Sequence, residues 1–485
     1  MADAVENKSW QDSAASGGTF RMARVTKNVR AIYFLDALKL FHETQWLYNI
    51  PVTDLLTSGV LDLFPKKWLH ALQILENEEL NDFVVSKRIK PEWSETLKLF
   101  VEKCRYIDQL PTINNIVEAK LPKSFQIGLS CKKQHEIMNL AHLIHMQCTS
   151  QNIKVIVDLG AGLGYICQLL HNLYGYKVLG LEKNQAIINN AQDRQAKMYP
   201  NSLAHVRYSC CNLTCASAET IETILYNEFE EKSDVCLIGL HACGDLSIDA
   251  IKIFYKMQVA RIFIMVSCCY HKLSISISMQ TDSLIKKQYF NNFPLSNCLK
   301  TVINNSDFDT GFFLRQPFLR LACQEPADRW CNMSVKTHNE HSFYVLARAV
   351  LQLYAAENGF SLMKQTQKGT RKSQCLNFES YVKDSLNRYI LQPSKGRKEQ
   401  GNIDVQSTPD IHEKNIVKLW KSHCDKLKIV EIYSGLQLML QAAAESFILQ
   451  DRLCWMEEQG LKATIIPVMN KHLSPRSYAI VSQKR

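Results

Sequence analysis

Apolar residues recur at helical spacing over residues 31–48 (Ile32, Leu35, Leu38, Leu40, Phe41, Trp46), and Pro51 ends the run. Further helical patterns at residues 66–75 and 93–101 make residues 29–125 a small helical domain, whose Trp and Phe stripes read as core. Ahead of it, residues 1–28 are rich in Ser, Gly, Ala and Lys and lack the continuous apolar stretch of a secretory signal, so they read as a disordered tail.

From Lys154 the pattern changes to short apolar runs at residues 155–159, 178–181, 205–209, 235–240 and 262–267, separated by amphipathic stretches. That alternation predicts βαβ units and a parallel sheet with helices on both faces. A helix over residues 436–456 and two strand-like runs at 463–467 and 478–482 close the chain. The expected architecture is therefore α/β: a Rossmann-like sheet of seven strands occupying residues 126–280 and 431–485. The mostly helical residues 281–430 are then an insertion before the last helix and two strands, and no internal repeat is evident.

Composition is that of an ordinary globular protein, with 46% apolar and 21% charged residues. No run reaches the roughly 18 to 20 uncharged residues of a membrane span, since Arg261, His271 and Lys272 interrupt the most apolar one. The 17 cysteines are odd in number, and several sit inside apolar runs, which predicts reduced thiols in a cytoplasmic or nuclear protein. Cys211 and Cys215 have no matching Cys or His pair, so a structural zinc is a minor reading and no metal is expected. The net charge is +10, of which residues 364–428 carry +7 in a loop-rich stretch. Such a segment attracts phosphate backbones, and a solvated linker is the alternative.

The segment VIVDLGAGLGYICQLL joins an apolar strand to an amphipathic helix through Asp158, Gly160, Gly162 and Gly164. Glycines there let the backbone turn sharply beside a bulky ligand. The next run, KVLGLE, ends in Glu182, where a carboxylate can accept both ribose hydroxyls of an adenosyl group. A dinucleotide fingerprint reads Gly-x-Gly-x-x-Gly. The strict alternation here, with an acid two positions before the first glycine, favours S-adenosyl-L-methionine over a dehydrogenase cofactor. Asn212 follows the third run, near the place of the adenine amine, with a plain turn residue as the other reading.

Two more loops should open on the same sheet edge. The fourth run leads into GLHACGDLS and the fifth into VSCCYHKLS. They bring His241, Cys243, Asp245, Cys268, Cys269, Tyr270 and His271 toward a methyl donor. His241 or His271 could take a proton from the methyl acceptor, with Asp245 orienting the ring. The competing readings are satisfied histidines at strand ends, inert buried thiols, and a minor Cys–Cys–His metal cluster. Site candidates are thus His241, Asp245, Cys269, Tyr270 and His271 for the chemistry, with His241 also near the donor.

These loops, with FPKKWLHAL, GLSCKKQHEI, FPLS, LACQ, LQDRL and LSPRSYAIV, make the chain resemble the methyltransferase-like protein 25 family. Its shorter member is also called ribosomal RNA adenine dimethylase domain-containing. The resemblance runs from about Arg30 nearly to the end, and implies an S-adenosylmethionine-dependent methyltransferase. The chain departs from the family at Ser130 to Lys133 (usually Ser-Pro-Lys-Lys), at Met469 to Lys471 (usually Phe-Asp-Pro), and at Ser474 to Ser477 (usually Ser-Pro-Arg-Asn). The His-x-Cys-Gly and Cys-Cys-Tyr-His loops also resemble, more loosely, those of a transfer-RNA 2′-O-methyltransferase family, which points to an RNA acceptor. The Asn-Pro-Pro-aromatic motif of adenine N6 enzymes is missing at His241 to Asp245. A protein acceptor is the rival, and a silent binding or scaffold module is the third reading.

Overall fold

The apolar runs from Lys154 onward, together with the two near the C-terminus, assemble into one sheet. The computed structural model of the protein describes residues 19–112, 121–230, 233–276, 287–366, 370, 375, 377–393 and 409–484, with side chains from residue 29. Strands β1 (Val155–Leu159), β2 (Lys177–Glu182), β3 (Val206–Cys210), β4 (Val235–Ala242) and β5 (Ala260–Ser267) are parallel. Strands β6 (Phe360–Lys364) and β7 (Tyr389–Pro393) pair separately as an antiparallel ribbon. The last two, β8 (Lys462–Pro467) and β9 (Tyr478–Gln483), complete the order β3-β2-β1-β4-β5-β9-β8, with β9 antiparallel to both neighbours. The order reverses between β1 and β4, so the ligand crevice of this doubly wound sheet lies at their carboxyl ends.

Every residue of β1 is buried, as expected of a central strand covered on both faces. On one face, helices Cys131–Ser150 and Tyr165–Tyr174 build a core around Ile137, Ile144, Leu169 and Ile238. The other face is covered by a larger helical body.

That body is where the structure departs from the expected division. Helix Leu427–Glu458, 32 residues long and buried on nearly all sides, runs through its centre. Phe447 on this helix packs edge-on against Phe34, from the first helix, and Phe318, from the inserted region. Tyr433 donates to the Trp46 carbonyl at 2.9 Å, and Gln441 to that of Ala322 at 3.1 Å. The N-terminal helices and the insertion therefore share one core. Truncating Phe447 should cost about 3–5 kcal/mol. The first helix spans Thr19–Glu43, so residues 19–28 of the expected tail are helical, and residues 1–18 lie outside the described ones. The β6–β7 ribbon inside the insertion was not expected. Among the described residues, no helix is long and apolar enough to cross a membrane.

Candidate active site

Asp158 starts the site from inside β1. It is 2% exposed, its Oδ2 accepts the Cys167 thiol at 3.2 Å, and burial pushes its carboxyl up to about 6. Past Leu159 the chain turns through Gly160, Gly162 and Gly164 with φ of +88°, +55° and +68°. These are left-handed conformations that other residues adopt only with strain. The Gly160 and Ala161 amides both donate to the Leu181 carbonyl at 2.9 Å, which pins the loop against β2.

The three glycines do different jobs. A Cβ on Gly164 would lie 2.1 Å from the Tyr208 hydroxyl, which supports the loop from β3 and receives a hydrogen bond from Gln168 at 3.0 Å. A Cβ on Gly162 would meet nothing within 4 Å. Gly164 is thus needed by the fold, and Gly162 leaves room for a ligand. At the end of β2, the half-buried Glu182 accepts the Lys183 and Asn184 amides on Oε1, at 3.0 and 3.2 Å. Asn212 is exposed just past β3. An open loop at a helix start, with a held carboxylate on the next strand, fits S-adenosyl-L-methionine, the cofactor of a methyltransferase domain of this fold. Asp158, as an ionised acid under that loop, suits a cationic donor. A cavity of about 160 Å³ opens instead at the amino ends of β1 and β4, lined by Val155, Glu222, Val235 and Val259. It has neither glycine loop nor strand-end carboxylate.

The chemistry loops are rearranged relative to expectation. His241 sits at φ +64° near the end of β4, and its Nε2 lies 2.9 Å from Oε2 of Glu136. Glu136, on helix Cys131–Ser150, is 1% exposed and accepts the Ser474 hydroxyl on its other oxygen at 2.8 Å. Burial alone would raise its carboxyl, yet His241, Ser474 and Lys133 together hold it below the usual carboxylate range. Lys133 is itself pulled down by burial, with Glu136 and Asp158 opposing.

Asp245, expected to orient the histidine, does not. Its oxygens accept the Ser274 amide at 2.9 Å and the Asn292 side chain at 2.8 Å, which ties down the chain after β5. Tyr270 turns into the helical body, 2% exposed, donates to Glu445 at 3.1 Å and lies under the Arg452 guanidinium. Burial and Glu445 push its phenol well above the usual range. His271 meets the Cys323 sulfur at 3.0 Å, and burial lowers its affinity for a proton. Cys243 and Cys268 lie 2.9 Å apart with Cys269 beside them. The hydrogen bond from Cys268 holds the Cys243 thiol below the usual range and pushes Cys268 above it.

Sequence reasoning missed Glu136, Lys133 and Ser474, although the segments GLSCKKQHEI and LSPRSYAIV contain them. The available signal was an acid directly ahead of the apolar Ile137 and Met138 on a helix. One departure from the family pattern meets this helix as well, since the Asn470 amide donates to His135 at 2.9 Å.

A methyltransferase-domain family model matches residues 132–276, from Lys132 through both cysteine–histidine loops. The mouse protein "Probable methyltransferase-like protein 25" is 27% identical over 59% of this chain and 43% of its own length. The human protein of that name is 26% identical over 55% and 40%. The chain thus spans about two fifths of the length of these curated relatives. The structure of geranyl diphosphate C-methyltransferase from Streptomyces coelicolor is 10% identical, covers 66% of this chain and 91% of its own, and has a TM-score of 0.19. At that score the fold assignment rests on the strand order and the family model. The curated matches support the family resemblance drawn from the sequence.

Proposed function

We propose that this methyltransferase domain transfers a methyl group from S-adenosylmethionine to RNA. The observation that carries the transfer is the Glu136–His241 pair at the end of β4, the strand beside β1 and its glycine loop. Gly160, Gly162 and Glu182 hold the adenosyl end over a turn that Gly164 permits, Asn212 meets the adenine, and Asp158, buried beneath the loop, balances the charge of the cationic donor. The donor supplies an electrophilic methyl on a sulfonium. The acceptor supplies the electron pair and, if it is a hydroxyl or a protonated nitrogen, loses a proton.

His241 takes that proton. Its bond to Glu136 places the ring hydrogen on Nε2 and leaves the lone pair on Nδ1. The positive ring formed by proton transfer is stabilised by the buried Glu136 carboxylate. Glu136 acts through His241 and is a positioning residue. Holding the acceptor in line supplies much of the remaining acceleration.

Support for an RNA acceptor is the +7 charge of residues 364–428. Of that segment, Lys414, Lys418 and Lys421 lie on the described helix Pro409–Lys421, while Lys395, Arg397 and Lys398 lie outside the described residues. Incubating the full chain with methyl-labelled donor and fractionated cell RNA and protein tests the reading. Label in RNA, lost with His241→Ala, is the expected outcome. Label confined to protein would replace the acceptor, and no label anywhere despite donor binding would leave a binding or scaffold module.

A further inference from the structure

The β4 and β5 loops bring three sulfurs together. A register shift between Leu240 and Ala242 sets Ala242 opposite Ser267, so the next residues on each strand, Cys243 and Cys268, come abreast. Adjacent strands lie about 4.8 Å apart, which suits side chains that share a small ligand. The loops are locked in that position by the Gly244 amide, which donates to the Cys269 carbonyl at 3.2 Å. Only glycine allows this approach, because at φ +56° a Cβ on Gly244 would stand 2.5 Å from the Lys272 carbonyl oxygen. The backbone thus gathers the thiols without help from a ligand.

Cys243 and Cys268 sulfurs are 2.9 Å apart, those of Cys268 and Cys269 3.5 Å, and all three lie within 4.8 Å of one another. Zinc–thiolate bonds of about 2.3 Å in tetrahedral geometry place sulfurs roughly 3.8 Å apart, inside that range. A disulfide would use two of these sulfurs, would need an oxidant, and would leave the third without a role. We infer that Cys243, Cys268 and Cys269 form a three-thiolate site for zinc or a similarly soft divalent cation.

Binding exchanges the protons still held by the thiols, released to solvent, for three metal–sulfur bonds. Among the described residues no fourth His, Cys, Asp or Glu atom joins the group. The two nearby histidines are directed elsewhere, His241 to Glu136 and His271 to Cys323. Among the described residues the fourth position is left for water or an incoming ligand, the arrangement of an open rather than a closed zinc site. This site stands independently of methyl transfer.

The test titrates the reduced, metal-stripped full chain with cobalt(II) alone. One equivalent should bind with thiolate charge-transfer absorption and the visible bands of a tetrahedral ion, and zinc should displace it. Cys243→Ser, Cys268→Ser and Cys269→Ser should each remove roughly a third of the charge-transfer intensity and weaken binding about tenfold or more. Cys210→Ser, an exposed cysteine outside the group, should change neither. Circular dichroism admits only folded variants, and the wild-type titration is decisive without them. Wild-type protein with no thiolate–cobalt absorption, absorption that survives all three substitutions, or a Cys243–Cys268 disulfide formed in preference to metal binding would overturn the assignment.

Discussion

The proposed donor cradle draws its named parts from residues 158–212, whereas Glu136 reaches His241 across 105 residues and Ser474 across 338. The first region is shaped by backbone, through left-handed glycines and a strand-end carboxylate fixed by its own neighbouring amides. The second is shaped by side-chain hydrogen bonds among elements that only the finished fold brings together. Gripping an adenosyl group needs a local loop. Managing a proton needs a buried partner, and burial comes from distant chain.

If the two regions have separate tasks, disturbing the second should leave the first intact. His241→Ala is expected to lower turnover about 10²- to 10⁴-fold with donor affinity unchanged. Glu136→Ala should lower turnover too, and the double variant should lose little more than His241→Ala alone, because the pair acts as a unit. Measured turnover and calorimetric donor titrations of the three variants check this. Additive losses, or donor binding lost along with turnover, would show one shared region instead of two.

A smaller effect should appear within the donor region. Asp158 is raised by burial from 3.8 to about 6, with the Cys167 thiol and Lys133 opposing and Glu182 adding to the rise. A cationic donor favours the ionised carboxylate. Affinity should therefore be full above that value and fall as pH drops through about 6, by up to about tenfold per unit. Titrations from pH 8 to pH 5 should show the fall, and Asp158→Asn should flatten it. A profile unchanged by that substitution would remove Asp158 from the donor site.

The same contrast explains what could be read from the chain. The five parallel strands of the main sheet stood out because buried parallel strands tend to be apolar runs, as in β1, and the antiparallel β8 and β9 stood out as two further apolar runs after the long helix. Asp158, Gly160, Gly162 and Gly164 could be singled out because one turn sets their spacing, and Glu182 because it ends the next apolar run. Asp245 was misread, since nothing in GLHACGDLS reveals that Ser274 and Asn292 will claim its carboxylate. The turn of Tyr270 into the helical body could not be read, because its partner, Glu445, lies 175 residues away. The β6–β7 ribbon escaped notice because its residues alternate between half-buried and exposed without a strong apolar face. The shared helical core depends on Leu427–Glu458 packing against both ends of the chain, which helical periodicity alone does not report.

The central claim, that the glycine loop and Glu182 hold the methyl donor, is tested most directly by calorimetric titration of S-adenosylmethionine into wild type, Gly162→Arg and Glu182→Ala. Gly162 faces open space, so arginine there should fill the ligand's room at the expense of only about 1–2 kcal/mol of backbone strain. Glu182→Ala should leave ribose hydroxyls unpaired. The account predicts binding by the wild type, none measurable for a folded Gly162→Arg, and weakened binding for Glu182→Ala. Equal affinity in all three proteins would contradict it.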